Sequence, residues 1–482
     1  MQGFILYGFL QMFFLTSVFA SPPPKHLRDV HATRPIGEVF GKLKNTAIQK
    51  SPDLAQAQAT LSQKKAQVYT SLTRWFPHLD FELSRTKSKD YSLSTSGALG
   101  TQAARFTPEE VNRSRFSFDL TMPVYKRSVQ LGLEKSYAEK ELAELDFQIK
   151  FQEFNWKLHS LFGNYLLQLY KLAIIKKSIE IANTNQKEAK LRFDLGQRTK
   201  IDVLKADTNV LSLESKKLQY EQDYALAQSQ LLEDTGLTSL EFSELDIQKL
   251  YVTEEDYVHI LNEFTVFESH LENLKEFLGS NGEAILTEKQ KTLIEQHIAQ
   301  TSAIYKNHLS NQDLSDVLAK EKMSQEWPEL LVQGSVYKQG PDWEDIKKSQ
   351  DRSYSIALVL RIPLFSGGSL ISSYLEQSYS FVANEVKTQK NILQLKNEVE
   401  NDLFQIHTSR KLLESQAINL NQNEELVRLS QKSYQLGKAT FLELLTNQND
   451  LMEAKLGLAQ TKVNLSVLLR KFTWKLGIPF YE

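Results

Sequence analysis

Residues able to move a proton, ligate a metal or attack a bond are present, but their spacing builds no reacting centre. The nine histidines are scattered, and the closest pair, His26 and His31, falls in a proline-containing leader. No Gly-x-x-x-x-Gly-Lys-Ser/Thr loop cradles a phosphate, no His-Glu-x-x-His supplies a zinc site, and no Gly-x-Ser-x-Gly presents a nucleophile. Cysteine is absent, which excludes disulfides, iron–sulfur clusters, thiolate zinc sites and thiol nucleophiles. The sequence therefore predicts no enzyme, no metal and no cofactor.

The informative spacing lies in a stretch that occurs twice. Phe193-Asp194-Leu195-Gly196-Gln197-Arg198-Thr199-Lys200-Ile201-Asp202 is answered by Tyr434-Gln435-Leu436-Gly437-Lys438-Ala439-Thr440-Phe441-Leu442-Glu443. Gly196 to Gly437 and Gly236 to Gly477 are both separated by 241 positions, so the two copies run without a gap between their glycines. A long internal repeat fixes the architecture before any single residue does.

The chain has 482 residues, a net charge of −2, 19 glycines and 12 prolines. The near-neutral balance offers no basic field for nucleic acid, and the scarcity of glycine and proline favours long helices. Phe4–Phe19 is mostly apolar and Val18-Phe19-Ala20 offers a cleavage site, so residues 1–20 read as a secretory signal; a retained membrane anchor is the alternative. Residues 21–35 form a leader.

Repeat 1 spans 36–236. Ser51-Pro52-Asp53 starts a helix that Pro77 closes. The period then becomes two. Leu79, Phe81 and Leu83 alternate with Asp80, Glu82 and Ser84 in a strand at about 76–86. Phe116, Phe118, Leu120 and Met122 do the same in a strand at about 115–122, ended by Pro123. Lys87–Arg113 reads as a polar loop between them. A helix from about Ser128 to Leu195 carries Phe154, Leu158, Leu161, Tyr165, Leu172, Ile175 and Ile179 on one side. The next helix has Leu204, Leu211, Leu218, Ala225 and Leu232 at heptad spacing, which predicts helix-on-helix packing. Residues 237–283 form an acidic connector. Repeat 2, 284–478, returns the order, with strands at about 329–339 and 353–362 and a last helix bearing Leu444, Leu451, Leu458, Leu465 and Phe472. Residues 479–482 are a short tail.

Strands with one apolar and one polar face suit a barrel with lipid outside and water inside. Four strands cannot close one, because open edges are not tolerated in lipid. Such a chain must oligomerise or keep its sheet in water; two copies would supply eight strands and three would supply twelve.

The duplicated helix–strand–strand–helix–helix order, Ile362-Pro363-Leu364-Phe365-Ser366-Gly367-Gly368 after the last strand, and the two Leu-Gly turns resemble the TolC-like outer-membrane efflux and secretion channels. The resemblance implies a mostly α fold with a small β part. Three chains would share a twelve-stranded barrel in the outer membrane of a Gram-negative bacterium, continued by an α-helical tunnel in the periplasm. It implies a passive exit duct that docks to a periplasmic adaptor and an inner-membrane transporter. Leu195, Gly196, Leu436 and Gly437 would be the adaptor-contact tips. Glu443 and Thr446 match two positions of an acidic ring at the tunnel entrance, the second acid being lost here; Asp202 and Lys205 match them in the first repeat. Asp202 and Tyr434 match a hydrogen-bonded entrance latch, and the arginine that accompanies it is replaced by Ala439. The competing reading is a soluble periplasmic coiled-coil scaffold whose strands pack on its own helices. A barrel instead requires Phe81, Phe118, Ile356 and Leu358 to face outward.

Overall fold

The computed structural model describes residues 35–94, 105–243, 254–265, 288–348, 352–365 and 367–478. The expected signal peptide, the leader up to residue 34 and the tail 479–482 lie outside them.

The first half opens with helices α1 (Pro35–Lys50) and α2 (Pro52–Thr73), then strands β1 (His78–Ser94) and β2 (Arg105–Lys126), then α3 (Arg127–Asp194) and α4 (Lys200–Thr235). Two short helices follow, α5 (Ser239–Ser243) and α6 (Glu254–Phe264). The second half carries α7 (Glu288–Thr301), α8 (Ala303–Met323), β3 (Glu329–Gly340), α9 (Trp343–Lys348), β4 (Ser353–Arg361), α10 (Ser369–Gln435) and α11 (Phe441–Leu476). With 68 residues, α3 extends ~100 Å at ~1.5 Å per residue.

The strands form one antiparallel sheet in the order β1-β2-β3-β4, leaving β1 and β4 as edges. Leu79 pairs with Leu120, and Phe81 with Phe118, so the apolar residues of adjacent strands share a face. Val336 and Ile356 continue that face through β3 and β4. The first two strands extend beyond the expected bounds. Lys87 pairs with Asn112 and Ser94 with Arg105, so the described ends of the expected loop belong to the hairpin. The pairs from Lys87–Asn112 to Asp90–Glu109 are mostly polar and break the period of two, and it returns only where Tyr91 and Leu93 pair with Pro108 and Phe106; backbone pairing carries the strands across the polar interval. Nor does Pro123 end β2. The ladder shifts register between Pro123 and Tyr125 and resumes to Lys126, because an irregularity accommodates the missing N–H.

The largest core surrounds the middle of α3, where Phe162, Tyr165 and Ile175 are fully buried against α1, α4, α6 and α11. The connector contributes to it. Ile260 and Leu261 of α6 are buried, and Phe264 stacks on the His159 ring at 4.2 Å. A Cβ on Gly163 would lie 2.9 Å from the Phe264 ring, so this close approach requires glycine. The acidic segment is thus more than a solvated link, since its helix turns an apolar face to the bundle. At its start, Lys50 pairs with Glu241, whose carboxyl is held down to about 2 by that contact and by the Thr238 backbone and hydroxyl.

The heptad seam of α4 behaves differently from that of α11. Leu444, Leu465 and Phe472 are buried, whereas Leu204, Leu211 and Leu218 are exposed. Within the chain α4 packs through Ala206, Val210, Leu213, Ala227 and Leu231 instead. The spacing reports a helix-packing surface, and among the described residues no helix of this chain covers it.

Candidate functional site

Both long hairpins turn with the same backbone geometry. The helix α3 ends at Asp194; Gly196 has φ 71°, its N–H donates to the Phe193 carbonyl at 2.8 Å, and the Gln197 N–H donates to Arg192 at 2.8 Å. In the second hairpin Gly437 has φ 73°, donating to Tyr434 at 3.1 Å, and Lys438 donates to Ser433 at 2.8 Å. A left-handed residue that satisfies the last helical carbonyls is the standard role of glycine here. Thr199 and Thr440 then cap the following helices by accepting from the N–H groups of Asp202 and Glu443. The turns hold Leu195 and Leu436 in the open, the latter 71% exposed.

Behind the turns a small core joins the hairpins. Ala189 and Ala206 of the first pack with Tyr434, Ala439, Phe441, Leu444 and Leu445 of the second. Tyr434 is only 2% exposed. The Arg198 guanidinium lies 4.5 Å from its ring centre and Arg192 lies 5.2 Å away. Arg198 also donates to the Tyr434 carbonyl at 3.3 Å. Burial pushes the Tyr434 hydroxyl up from its ordinary pKa, against the pull of Arg198 and Arg192.

The expected bond between Asp202 and Tyr434 is not made within the chain. The Asp202 carboxylate turns back to accept from the Thr199 N–H at 3.5 Å, completing a capping box, and the Tyr434 hydroxyl is buried without a hydrogen-bond partner among the described residues. The residues that hold Tyr434 are Arg192 and Arg198, which inspection of Ala439 alone does not suggest. The repeat contains the missing signal: Arg198 and Ala439 occupy equivalent positions 241 residues apart. Ala439 is buried in the tip core, and the arginine comes from the other hairpin.

Glu443 and Thr446 stand one turn apart on the exposed side of α11. The Thr446 hydroxyl donates to the Leu442 carbonyl at 3.0 Å, so Glu443 is the charged member of the pair. At the opposite end of the helices the sheet exposes its apolar face. Phe81 is 57% and Ile356 80% exposed, and Phe118 and Leu358 accompany them. Phe81, Phe116 and Phe118 pack ring to ring at 5.3–5.4 Å. The other face is polar, with Asp119 accepting from Ser117 at 2.7 Å and Ser335 at 2.6 Å. Among the described residues no helix is long and apolar enough to cross a membrane.

Long antiparallel hairpins, joined at their tips and attached to a sheet whose exposed face is apolar, fit the class of membrane-anchored channel proteins. The model of the family described as outer membrane efflux protein matches residues 43–237 and 311–467, and the chain belongs to that family. It is an outer-membrane efflux channel. The fold is similar to the outer-membrane channel OprN (15% identity, TM-score 0.70, covering 92% of this chain and 91% of that one). It is also similar to the Campylobacter jejuni CmeC outer membrane channel (13%, 0.72, 95% and 90%) and to the Vibrio cholerae outer membrane protein VceC (14%, 0.68, 91% and 96%). No curated protein matches by sequence.

Proposed function

We propose that three copies of the chain close one twelve-stranded barrel in the outer membrane of a Gram-negative bacterium and extend one helical tunnel into the periplasm. The observation that carries this reading is the sheet's exposed apolar face with two unpaired edge strands. Open edges in lipid are removed by closure, and the apolar face then meets hydrocarbon. The exposed Leu204, Leu211 and Leu218 seam supports assembly, because a neighbouring copy can cover it in coiled-coil fashion. A soluble scaffold would fold that sheet face onto its own helices, and the exposure of Phe81 and Ile356 speaks against it.

The duct is passive and needs no catalytic residue or cofactor. Leu195, Gly196, Leu436 and Gly437 are the tips that meet a periplasmic adaptor, which links the duct to an inner-membrane transporter. Their exposure on rigid helix ends suits that docking. Glu443, with Thr446 beside it, lines the entrance, where three carboxylates favour cations. Opening is a population shift between closed and splayed hairpins, biased by the adaptor. Detergent-free extraction followed by sedimentation of detergent-solubilised protein tests the assembly. Membrane-bound trimers are expected; a mature protein recovered as a soluble monomer would overturn the reading.

A further inference from the structure

A cavity of ≈ 690 Å³ opens where the sheet meets the helices, on the polar side of the strands, with His78 and Thr121 in its wall. Its lining carries four fixed cations, Arg74, Lys126, Arg127 and Arg361, and two carboxylates, Glu321 and Glu329. Both carboxylates are already engaged. Glu329 accepts from Lys126 at 2.8 Å and Arg361 at 2.6 Å, and Glu321 pairs with Lys135 at 3.1 Å. Arg74 and Arg127 make no ion pair among the described residues. Arg127 instead lies 5.9 Å from the Trp327 ring centre.

The same cavity receives the N-terminus of α3, whose first residues Arg127, Ser128 and Val129 belong to its wall. That helix has no side-chain cap at Lys126 and no acidic residue in its first turn. The positive end of a helix is where carboxylates or phosphates are stabilising and where arginine and lysine are not. Here a 68-residue helix directs its positive end, with Lys126 and Arg127 at the terminus, into a space that already contains Arg74. With Glu329 taken up by Lys126 and Arg361 and Glu321 by Lys135, the wall keeps an excess of positive charge at Arg74 and Arg127 that an anion balances.

We propose that this cavity at the strand–helix junction binds a phosphate-type oxyanion, held by the guanidinium groups of Arg74 and Arg127 and by the first-turn N–H groups of α3. The inference rests on reading the sheet's polar face as the wall of the duct. It gives the duct a cationic station at its barrel end, opposite in sign to the Glu443 entrance. The oxyanion can belong to a solute in transit or to a phospholipid headgroup, and both present the same tetrahedral group to the two arginines.

The test uses the full-length protein in detergent micelles with inorganic phosphate as the probe, followed by 31P line broadening. Saturable binding is expected for the unaltered chain, and about tenfold or greater weakening in R74Q/R127Q, as for removal of two charge-assisted contacts. R74K/R127K should bind more tightly than R74Q/R127Q but less tightly than the unaltered chain, since lysine keeps the charge and loses the paired N–H geometry. The single variants R74Q and R127Q are measured alongside, so a failure of the double variant to assemble leaves them to decide. Mass spectrometry of co-purified lipid supplies the second arm: a phospholipid retained by the unaltered chain and lost with the arginines assigns the site to a headgroup. Absence of both ligands, or binding indifferent to the arginines, overturns the proposal. Planar-bilayer recordings separate it from the duct reading. Phosphate binding without channels sinks the duct, whereas channels without phosphate or lipid binding sink the site alone.

Discussion

Arg198 of the first hairpin covers the ring of Tyr434 in the second, 4.5 Å from the ring centre, and donates to the Tyr434 carbonyl at 3.3 Å. This contact crosses between the two halves of the duplicated chain at the end where their helices turn. A cation over a tyrosine face contributes about 1 kcal/mol, more when desolvated. Arg198→Ala should therefore loosen the tip without unfolding the bundle. Amide exchange around Ala189 and Ala206 should accelerate about fivefold, the factor that ~1 kcal/mol implies for a local opening. Unchanged exchange there would show that the small core alone holds the hairpins together.

Tyr434 tests the same core from inside. Its hydroxyl is buried and unpartnered, an arrangement that costs rather than contributes. Tyr434→Phe should be neutral or stabilising by up to about 1 kcal/mol. Burial raises the folded-state pKa of the phenol, so the folded state keeps this proton more tightly than the unfolded one. Its contribution is constant below the ordinary tyrosine range near ~10 and is lost as the pH rises through the folded value. Thermal unfolding in detergent, followed from neutral to alkaline pH, should show a steeper loss for the unaltered chain than for Tyr434→Phe. Parallel profiles would rule out an ionisable, buried Tyr434.

How far these features were legible in the sequence follows from their range. Periodicity located the helical runs and alternation found the apolar sheet face, because both are local patterns. Strand length was hidden by a polar interval: Lys87 to Asp90 pair with Asn112 to Glu109 through backbone groups, and the apolar alternation returns only at Tyr91 and Leu93. The Arg198–Tyr434 contact was hidden for another reason. Its members are 236 positions apart, and the arginine sits at the repeat equivalent of the position where resemblance placed it. The exposed seam of Leu204, Leu211 and Leu218 shows the converse: spacing reveals that a helix packs, but not whether its partner lies in the same chain.

The repeat also contains one ion pair twice with its signs exchanged. Lys157 donates to Asp234 at 2.9 Å in the first half, and Lys475 pairs with Glu398 at 2.8 Å in the second. Both partners of the second pair lie 241 positions after those of the first. The environments differ. Lys475 is 4% exposed and also meets the buried Asp402 at 2.7 Å, whereas Lys157 and Asp234 are partly open to water. Removing Lys475 leaves the buried Asp402, among the described residues, with only the longer contact to Lys471 at 3.3 Å. Lys475→Ala should accordingly cost about 3 kcal/mol, the low end for a broken buried pair, because Lys471 remains beside Asp402. Lys157→Ala should cost about 0.2–1 kcal/mol. Denaturant unfolding of the two variants would check the order, and equal losses would contradict the difference in burial.

Acid should release the start of the connector. The Lys50 ammonium, then the Thr238 backbone and hydroxyl, hold the Glu241 carboxyl at about 2, below its ordinary value. A depressed carboxyl contributes stability that is present above the unfolded pKa near ~4.3 and lost as the pH falls through the folded one. Glu241→Gln should therefore flatten the stability profile between about pH 4.5 and 2. The change will be modest, because the pair is exposed and salt screens it. Proteolysis of residues 237–253 as a function of pH provides the readout. A variant whose cleavage rises with acid as steeply as that of the unaltered chain would place the acid sensitivity elsewhere.

The tunnel entrance gives the most direct functional prediction. Glu443 is exposed beyond the cap made by Thr440, and its neighbour one turn on is Thr446, which carries no charge. Three copies would thus place three carboxylates at one level rather than six at two. A unit charge about 4 Å from a passing ion in water contributes about 1 kcal/mol, roughly a fivefold change in relative permeability. Glu443→Gln should lower cation over anion preference in planar bilayers by about that factor, and more at low salt, where screening weakens. Thr446→Asp adds a second level of acid and should raise the preference. If Glu443→Gln leaves the reversal potential in a salt gradient unchanged while Thr446→Asp also has no effect, α11 does not line the entrance. Movement in opposite directions fixes that side of the helix toward the passing ion.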